Sequence, residues 1–250
     1  MKRRNHKLRK ALLMTCCALA LVAISVGATL AYLTDTEAVK NVFTVGQVGI
    51  TLNEAPVDAN GKETTGARVT ENSYHMLPGL TYDKDPTVTM DANSEPAYVR
   101  MLVTVYGYND LLKICQHHNS NDVVDGVVLL QNFTDWDSSK WEFVDVELSS
   151  TDYPMSATYE FRYIETEDDK TVKSATAYSL PPLFTEITVP DYMTNEDLEI
   201  LGSEDIFTEY PKTTHGTGNV FMITVNAHAI QAAGFENAAE AWEAFEDQMN

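Results

Sequence analysis

Alternation with a period of two is the clearest pattern in the chain. Between Ala97 and Tyr106, Val99, Met101, Val103 and Val105 share one parity, and Tyr98, Arg100, Leu102, Thr104 and Tyr106 share the other. Alternation rich in Val and Tyr predicts a β-strand with one buried face. The first set is the expected core face; the second is mixed, as suits a face that a neighbour covers. The same period recurs at Val48, Ile50 and Leu52, following Phe43 and Val45 on the opposite parity. Gly46 marks that phase change as a bulge or bend. Further strands are expected at Val88 and Met90, over Glu142–Leu148, over Thr158–Ile164 with Tyr159, Phe161 and Tyr163 on one face, over Glu186–Val189, and over Asn219–Ala229. In Glu142–Leu148, Phe143, Asp145 and Glu147 alternate with Val144, Val146 and Leu148.

Turn chemistry separates these runs. Asn60-Gly61 predicts the tip of a polar loop or hairpin, and Pro78-Gly79 another turn. A charged tip at Glu165–Lys170 joins Thr158–Ile164 to a returning Val172–Leu180, which reads as a hairpin. Leu180-Pro181-Pro182-Leu183-Phe184 is a kinked entry unfit for a central strand. Helical spacing is confined to three places. Asn109–His118 fits a short helix, Thr194 caps a second that Gly202 closes, and Asn237 with Glu240 forms a capping box for a third. Ala238, Ala241, Trp242, Phe245 and Met249 share one face of that last helix. The expected fold is mainly β, a β-sandwich with inserted short helices and a C-terminal helix.

The first residues follow another logic. Lys2, Arg3, Arg4, Lys7, Arg9 and Lys10 precede an apolar run from Ala11 to about Val26. Thr29 and Ala31 then sit at the −3 and −1 positions of a cut before Tyr32. This is the pattern of a secretory signal, and uncut it is long enough for a membrane anchor. Cys16 and Cys17 lack the small preceding residues of a lipoprotein signal. Cleavage would free a strand-capable N-terminus. The expected organisation is a signal peptide over 1–31, a flexible segment over 32–41, and one sandwich domain over 42–250 with an insertion around 110–210.

Ala31-Tyr32-Leu33-Thr34-Asp35, followed by Phe43-Thr44-Val45-Gly46-Gln47-Val48-Gly49-Ile50-Thr51-Leu52, resembles the start of the TasA/camelysin family. Leu77–Thr89 and Ala227–Phe235, with Trp242 following, are similar to larger clostridial-type members. The resemblance covers both ends and the first third of the chain. It implies a jelly-roll sandwich, export from a Gram-positive bacterium through a signal peptidase of the SipW type, and fibre assembly by donor-strand complementation. The candidate donor strand is Tyr32 to Val39. Tyr32, Thr34, Thr36 and Ala38 there oppose Leu33, Asp35, Glu37 and Val39, and its backbone groups are expected to stand unpaired in the monomer.

Charge narrows the partners. Residues 1–31 hold six of the seventeen basic residues and no acidic ones, leaving eleven against thirty-seven, a net −26. Such a chain is repelled by nucleic acid and anionic membranes, so membrane contact is expected only through the uncleaved signal. Cys115 alone survives cleavage, so the fold rests on its apolar core, and a buried, inert thiol is expected.

The sequence supplies no site chemistry. His75, His117, His118, His215 and His228 show no His-Glu-x-x-His spacing for zinc. There is no Gly-x-Ser-x-Gly elbow, and Gly216-Thr217-Gly218 lacks the partners of a phosphate loop. Glu165–Asp169 misses the calcium-loop spacing. No catalytic residue, metal or cofactor is expected. The leading expectation is a secreted fibre or biofilm-matrix subunit that associates with itself. The alternatives are a monomeric cell-surface adhesin or carbohydrate-binding module and, second, a camelysin-type metallopeptidase.

Overall fold

The structure, a computed structural model, describes residues 34–36, 48–151, 154–165, 170–174, 176–201 and 222–249. In chain order the first elements are β1 (Thr34–Thr36), β2 (Ile50–Asn53), β3 (Thr81–Asp83), β4 (Thr87–Met90), β5 (Ser94–Tyr106), α1 (Tyr108–His118), β6 (Val123–Val124) and β7 (Val127–Val128). There follow β8 (Trp141–Leu148), β9 (Ser156–Tyr163), β10 (Val172–Ser174), β11 (Tyr178–Ser179), β12 (Glu186–Thr188), α2 (Asn195–Leu201), β13 (Ile223–Gln231) and α3 (Ala238–Met249).

The alternating strand of the sequence, β5, is the spine of the larger sheet. That sheet runs β1-β13-β5-β9-β8, and β10 pairs with the first part of β5. A three-stranded sheet, β11-β4-β2, and a pair, β12-β3, face it. Every pairing is antiparallel. Val99, Met101, Val103 and Val105 point into a shared core, together with Tyr159, Phe161 and Tyr163 of β9 and Val88 and Met90 of β4. The fold is therefore mainly β, a sandwich with short helices. Gly107, with φ 73°, ends β5 and turns the chain directly into α1, a backbone conformation that glycine adopts without a Cβ clash.

Several expectations shift. Residues 141–163 are no insertion, because β8 and β9 belong to the larger sheet and β9 is the direct neighbour of β5. The expected hairpin across the charged tip does not form: β9 pairs with β8, and β10 crosses to β5. Strand β8 also breaks its apparent alternation. Phe143 pairs with Phe161 and Asp145 with Glu160, so Val144 is an extra residue, a β-bulge. Past the bulge, Val146 and Leu148 oppose Tyr159 and Ala157 on the core side, where the sequence period had set them against Phe143. Val123–Val128 form a small hairpin turned by Asp125 at φ 51° and Gly126 at φ 82°.

Other turn and cap readings agree with the structure. At Asn60-Gly61 the Gly61 N–H donates to the Asp58 carbonyl at 2.9 Å, and Val57 bridges Glu63. Asp197 N–H donates to Thr194 Oγ1 at 3.2 Å and Glu240 N–H to Asn237 Oδ1 at 3.0 Å, capping α2 and α3. Gly46 and residues 202–221, among them Gly202 and the start of the expected last strand, lie outside the described residues. Among the described residues no helix is long and apolar enough to cross a membrane.

Candidate assembly edge

A sheet adds a strand only at an edge, and among the described residues the main path of the larger sheet ends in β8 on one side and β1 on the other. The eight residues of β8 include Glu142, Asp145 and Glu147, and the Val144 bulge interrupts its ladder. Charges and bulges on an edge strand oppose further pairing. At the other end the three-residue β1 lies on β13, whose sequence Ile-Thr-Val-Asn-Ala-His-Ala-Ile-Gln holds no Lys, Arg, Asp or Glu.

One side of β13 pairs with β5 along all nine residues, from Ile223 opposite Val105 to Gln231 opposite Ala97. The other side receives β1: Thr34 lies opposite Ile230, Asp35 opposite Ala229 and Thr36 opposite His228. Among the described residues, no strand pairs with that side at 223–227. The candidate donor segment is thus brought to a defined edge by its own chain. For Thr34–Thr36 this corrects the expectation that the segment's backbone stands unpaired in the monomer. Of the remaining candidate residues, Tyr32, Leu33, Glu37, Ala38 and Val39 lie outside the described residues. So do Thr29 and Ala31 of the expected processing site.

Two layers fix the position of β13. Ala227 and Ala229 are buried in the main core. On its far face, Ile230 packs with Ala241, Trp242 and Phe245 of α3 in a second, smaller cluster. Sequence reading identified the strand and the helix separately. Their contact had no local signal, because it depends on how residues 232–237 fold back.

Elsewhere the polar groups are already engaged. A cleft of about 310 Å³ lies beside Glu63, Asp83, Lys84, Asp85 and Glu186. Asp83 there accepts from the Glu63 N–H and from Lys62 Nζ, both at 2.8 Å. These two bonds hold its carboxyl below the usual range. Asp85 accepts from the Ala55 N–H at 2.6 Å and from Arg68 Nη1 at 2.8 Å. Among the described residues, no three His, Cys, Asp or Glu side chains are grouped to hold a metal ion.

His118 and Asp197 form an ion-pair contact, Nε2 to Oδ2 at 3.1 Å, that ties α1 to α2. Burial works against ionising Asp197, but bonds from Thr194 and the charge of His118 outweigh it and lower its pKa. Cys115 is fully buried, and burial pushes its thiol up to about 11 despite a contact from the Tyr192 hydroxyl. The tryptophans are core: Trp141 and Trp242 are buried, and Trp136 donates its Nε1–H to the Trp141 carbonyl at 2.8 Å. Trp136 is half-buried against the main core.

No protein-family model, curated protein or solved structure matches this chain.

Proposed function

We propose that this chain is a secreted structural subunit of a surface or biofilm-matrix fibre, in which the segment beginning at Tyr32 adds as a strand to the β13 edge of the next copy. The observation that carries the reading is the contrast between the two ends of the larger sheet. Strand β8 is bulged and acidic, whereas β13 is uncharged and already accepts Thr34–Thr36. The pairing between β1 and β13 uses main-chain groups, so a second copy can supply the same segment in the same register. Such a contact joins one end of a subunit to a different surface of the next. It does not close, and so it builds a filament.

Among the described residues, 223–227 extend the receiving side of β13 beyond the three pairs that β1 makes within its own chain. Each further pair made between copies favours the exchange. The net −26 of a chain that begins at Tyr32 opposes it. Filament growth should therefore quicken as salt rises and screens the copies from one another.

A specific observation also favours the monomeric adhesin reading: β1 already occupies its own β13, which closes the subunit on itself. Electron microscopy separates the two. Protein that begins at Tyr32 should form filaments, and the same protein without residues 32–39 should stay monomeric and folded. Filaments that survive the deletion exclude this segment as the donor. A full-length protein that stays monomeric at high salt supports the adhesin.

A further inference from the structure

The outer face of the larger sheet buries an arginine beneath the C-terminal helix. Arg100 of β5 is 4% exposed. Its guanidinium carbon lies 4.5 Å from the centre of the Trp242 ring and 5.1 Å from that of Phe245. Nη1 meets Glu246 Oε1 of α3 at 2.9 Å and Glu160 Oε2 of β9 at 3.4 Å. Nε donates to His228 Nδ1 of β13 at 3.3 Å. The His228 ring stacks on Phe245, with centroids 5.0 Å apart. A guanidinium has donors only and keeps its proton. The Nδ1 that accepts from it is therefore unprotonated, and the folded arrangement requires a neutral His228.

We propose that this cluster is an acid-releasable latch. With His228 neutral, Arg100 clasps α3 to the sheet. With His228 protonated, the acceptor becomes a second cation against Arg100, and the helix leaves while the sandwich stays folded.

The charges that face the cluster leave no room for another cation. Arg100 comes from β5, Arg162 and Glu160 from β9, and Glu246 from α3; Arg162 lies opposite Arg100 and bonds Glu160 at 2.5 Å. Among the described residues two cations meet two anions there, so a charge on His228 is unmatched. Glu243 and Asp247 of α3 are exposed, and β1 places Thr36 opposite His228. The helix is also the part most easily lost. Ala241, Trp242 and Phe245 pack in a small cluster that the sheet separates from the main core. Among the described residues Trp242 Nε1 is buried with no hydrogen-bond partner, which weakens the clasp. An isolated helix of twelve residues is marginal in water.

Burial first, and the Arg100 charge second, hold His228 well below its ordinary 6.5, at about 4. The released state therefore takes up its proton from about pH 6.5 downward, while the latched state resists down to about 4. The latch is at full strength above pH 6.5 and weakens as pH falls through that window.

Amide hydrogen exchange on the purified protein at pH 7 and pH 5, corrected for intrinsic rates, reads this directly. Protection of α3 should fall on the order of tenfold, with β5 and β9 unchanged. His228→Gln, which keeps an acceptor for Arg100 but takes no proton, should show equal α3 protection at both pH values. The latch is overturned if the pH dependence survives in His228→Gln, or if α3 and β9 lose protection together. Should His228→Gln not fold, NMR titration of His228 in the unaltered protein decides. Protonation near pH 6.5 with α3 still protected also overturns the latch, and protonation near 4 with α3 opening above it supports it.

Discussion

The hydroxyl of Tyr159 donates to the main-chain carbonyl of Val128 across 2.7 Å. The Val128 N–H in turn donates to the Tyr108 hydroxyl at 2.8 Å. Hairpin β6–β7 has only two residues in each strand, too few to satisfy its own buried backbone, and the two tyrosines complete it from β9 and α1. Tyr159→Phe would leave that buried carbonyl without a donor, at a cost of about 1–3 kcal/mol. Urea unfolding should show a lower midpoint with an unchanged slope. An unchanged midpoint would mean that the carbonyl finds another donor.

The bulge at Val144 makes a second prediction. Val146 opposes Tyr159 and packs partly buried against the core, whereas Val144 is 38% exposed. Val146→Ala should therefore lower stability by about 0.5–2 kcal/mol through lost burial and the cavity left, and Val144→Ala by clearly less. Paired melting curves test the order. Equal losses would place Val144 in the core and remove the bulge.

The same strand shows where sequence reading stops. In β5 the alternation ran unbroken, and the four residues assigned to the core face, Val99, Met101, Val103 and Val105, are all buried. In β8 one inserted residue reversed the phase. Phe143, Asp145 and Glu147 look like one face in the sequence, yet Phe143 and Asp145 point to opposite sides. A bulge is fixed by the partner strand, here β9, and leaves no mark on the local period. Arg100 is comparable. Its strand and parity were legible, but its burial depends on α3, which is more than a hundred residues away in the chain. The candidate edge was half legible. The segment 32–39 stood out through its place after an expected signal and through a family resemblance, while the strand that pairs with Thr34–Thr36 emerged only from sheet order.

Cys115 should be chemically quiet. Burial raises its thiol to about 11, so at pH 8 its thiolate fraction is on the order of a hundredfold below that of an ordinary thiol near 8.5. Iodoacetamide labelling followed by mass spectrometry should find Cys115 unmodified in folded protein and fully modified in denaturant. The folded protein should likewise give no disulfide-linked dimer. Rapid labelling in the folded state would show that α1 opens to expose the thiol.

The pairing of Asp35 with Ala229 allows assembly within a chain and assembly between chains to be told apart covalently. Opposed residues of an antiparallel pair bring their Cβ atoms to about 4.5–5.5 Å, close to what a disulfide spans. In protein that begins at Tyr32, Asp35→Cys combined with Ala229→Cys adds two thiols beside the buried Cys115. Oxidation of dilute protein at low salt should give a bridged monomer, because β1 then lies on its own β13. Oxidation after filament growth at high salt should instead give a ladder of covalent multimers on non-reducing gels, because each bridge now joins two copies. Bridging first should also block later growth, since the donor is held at home and the receiving edge is filled. Multimers from the dilute sample would contradict the pairing within one chain. Filaments that grow from fully bridged monomers would show that neither this segment nor this edge carries the assembly.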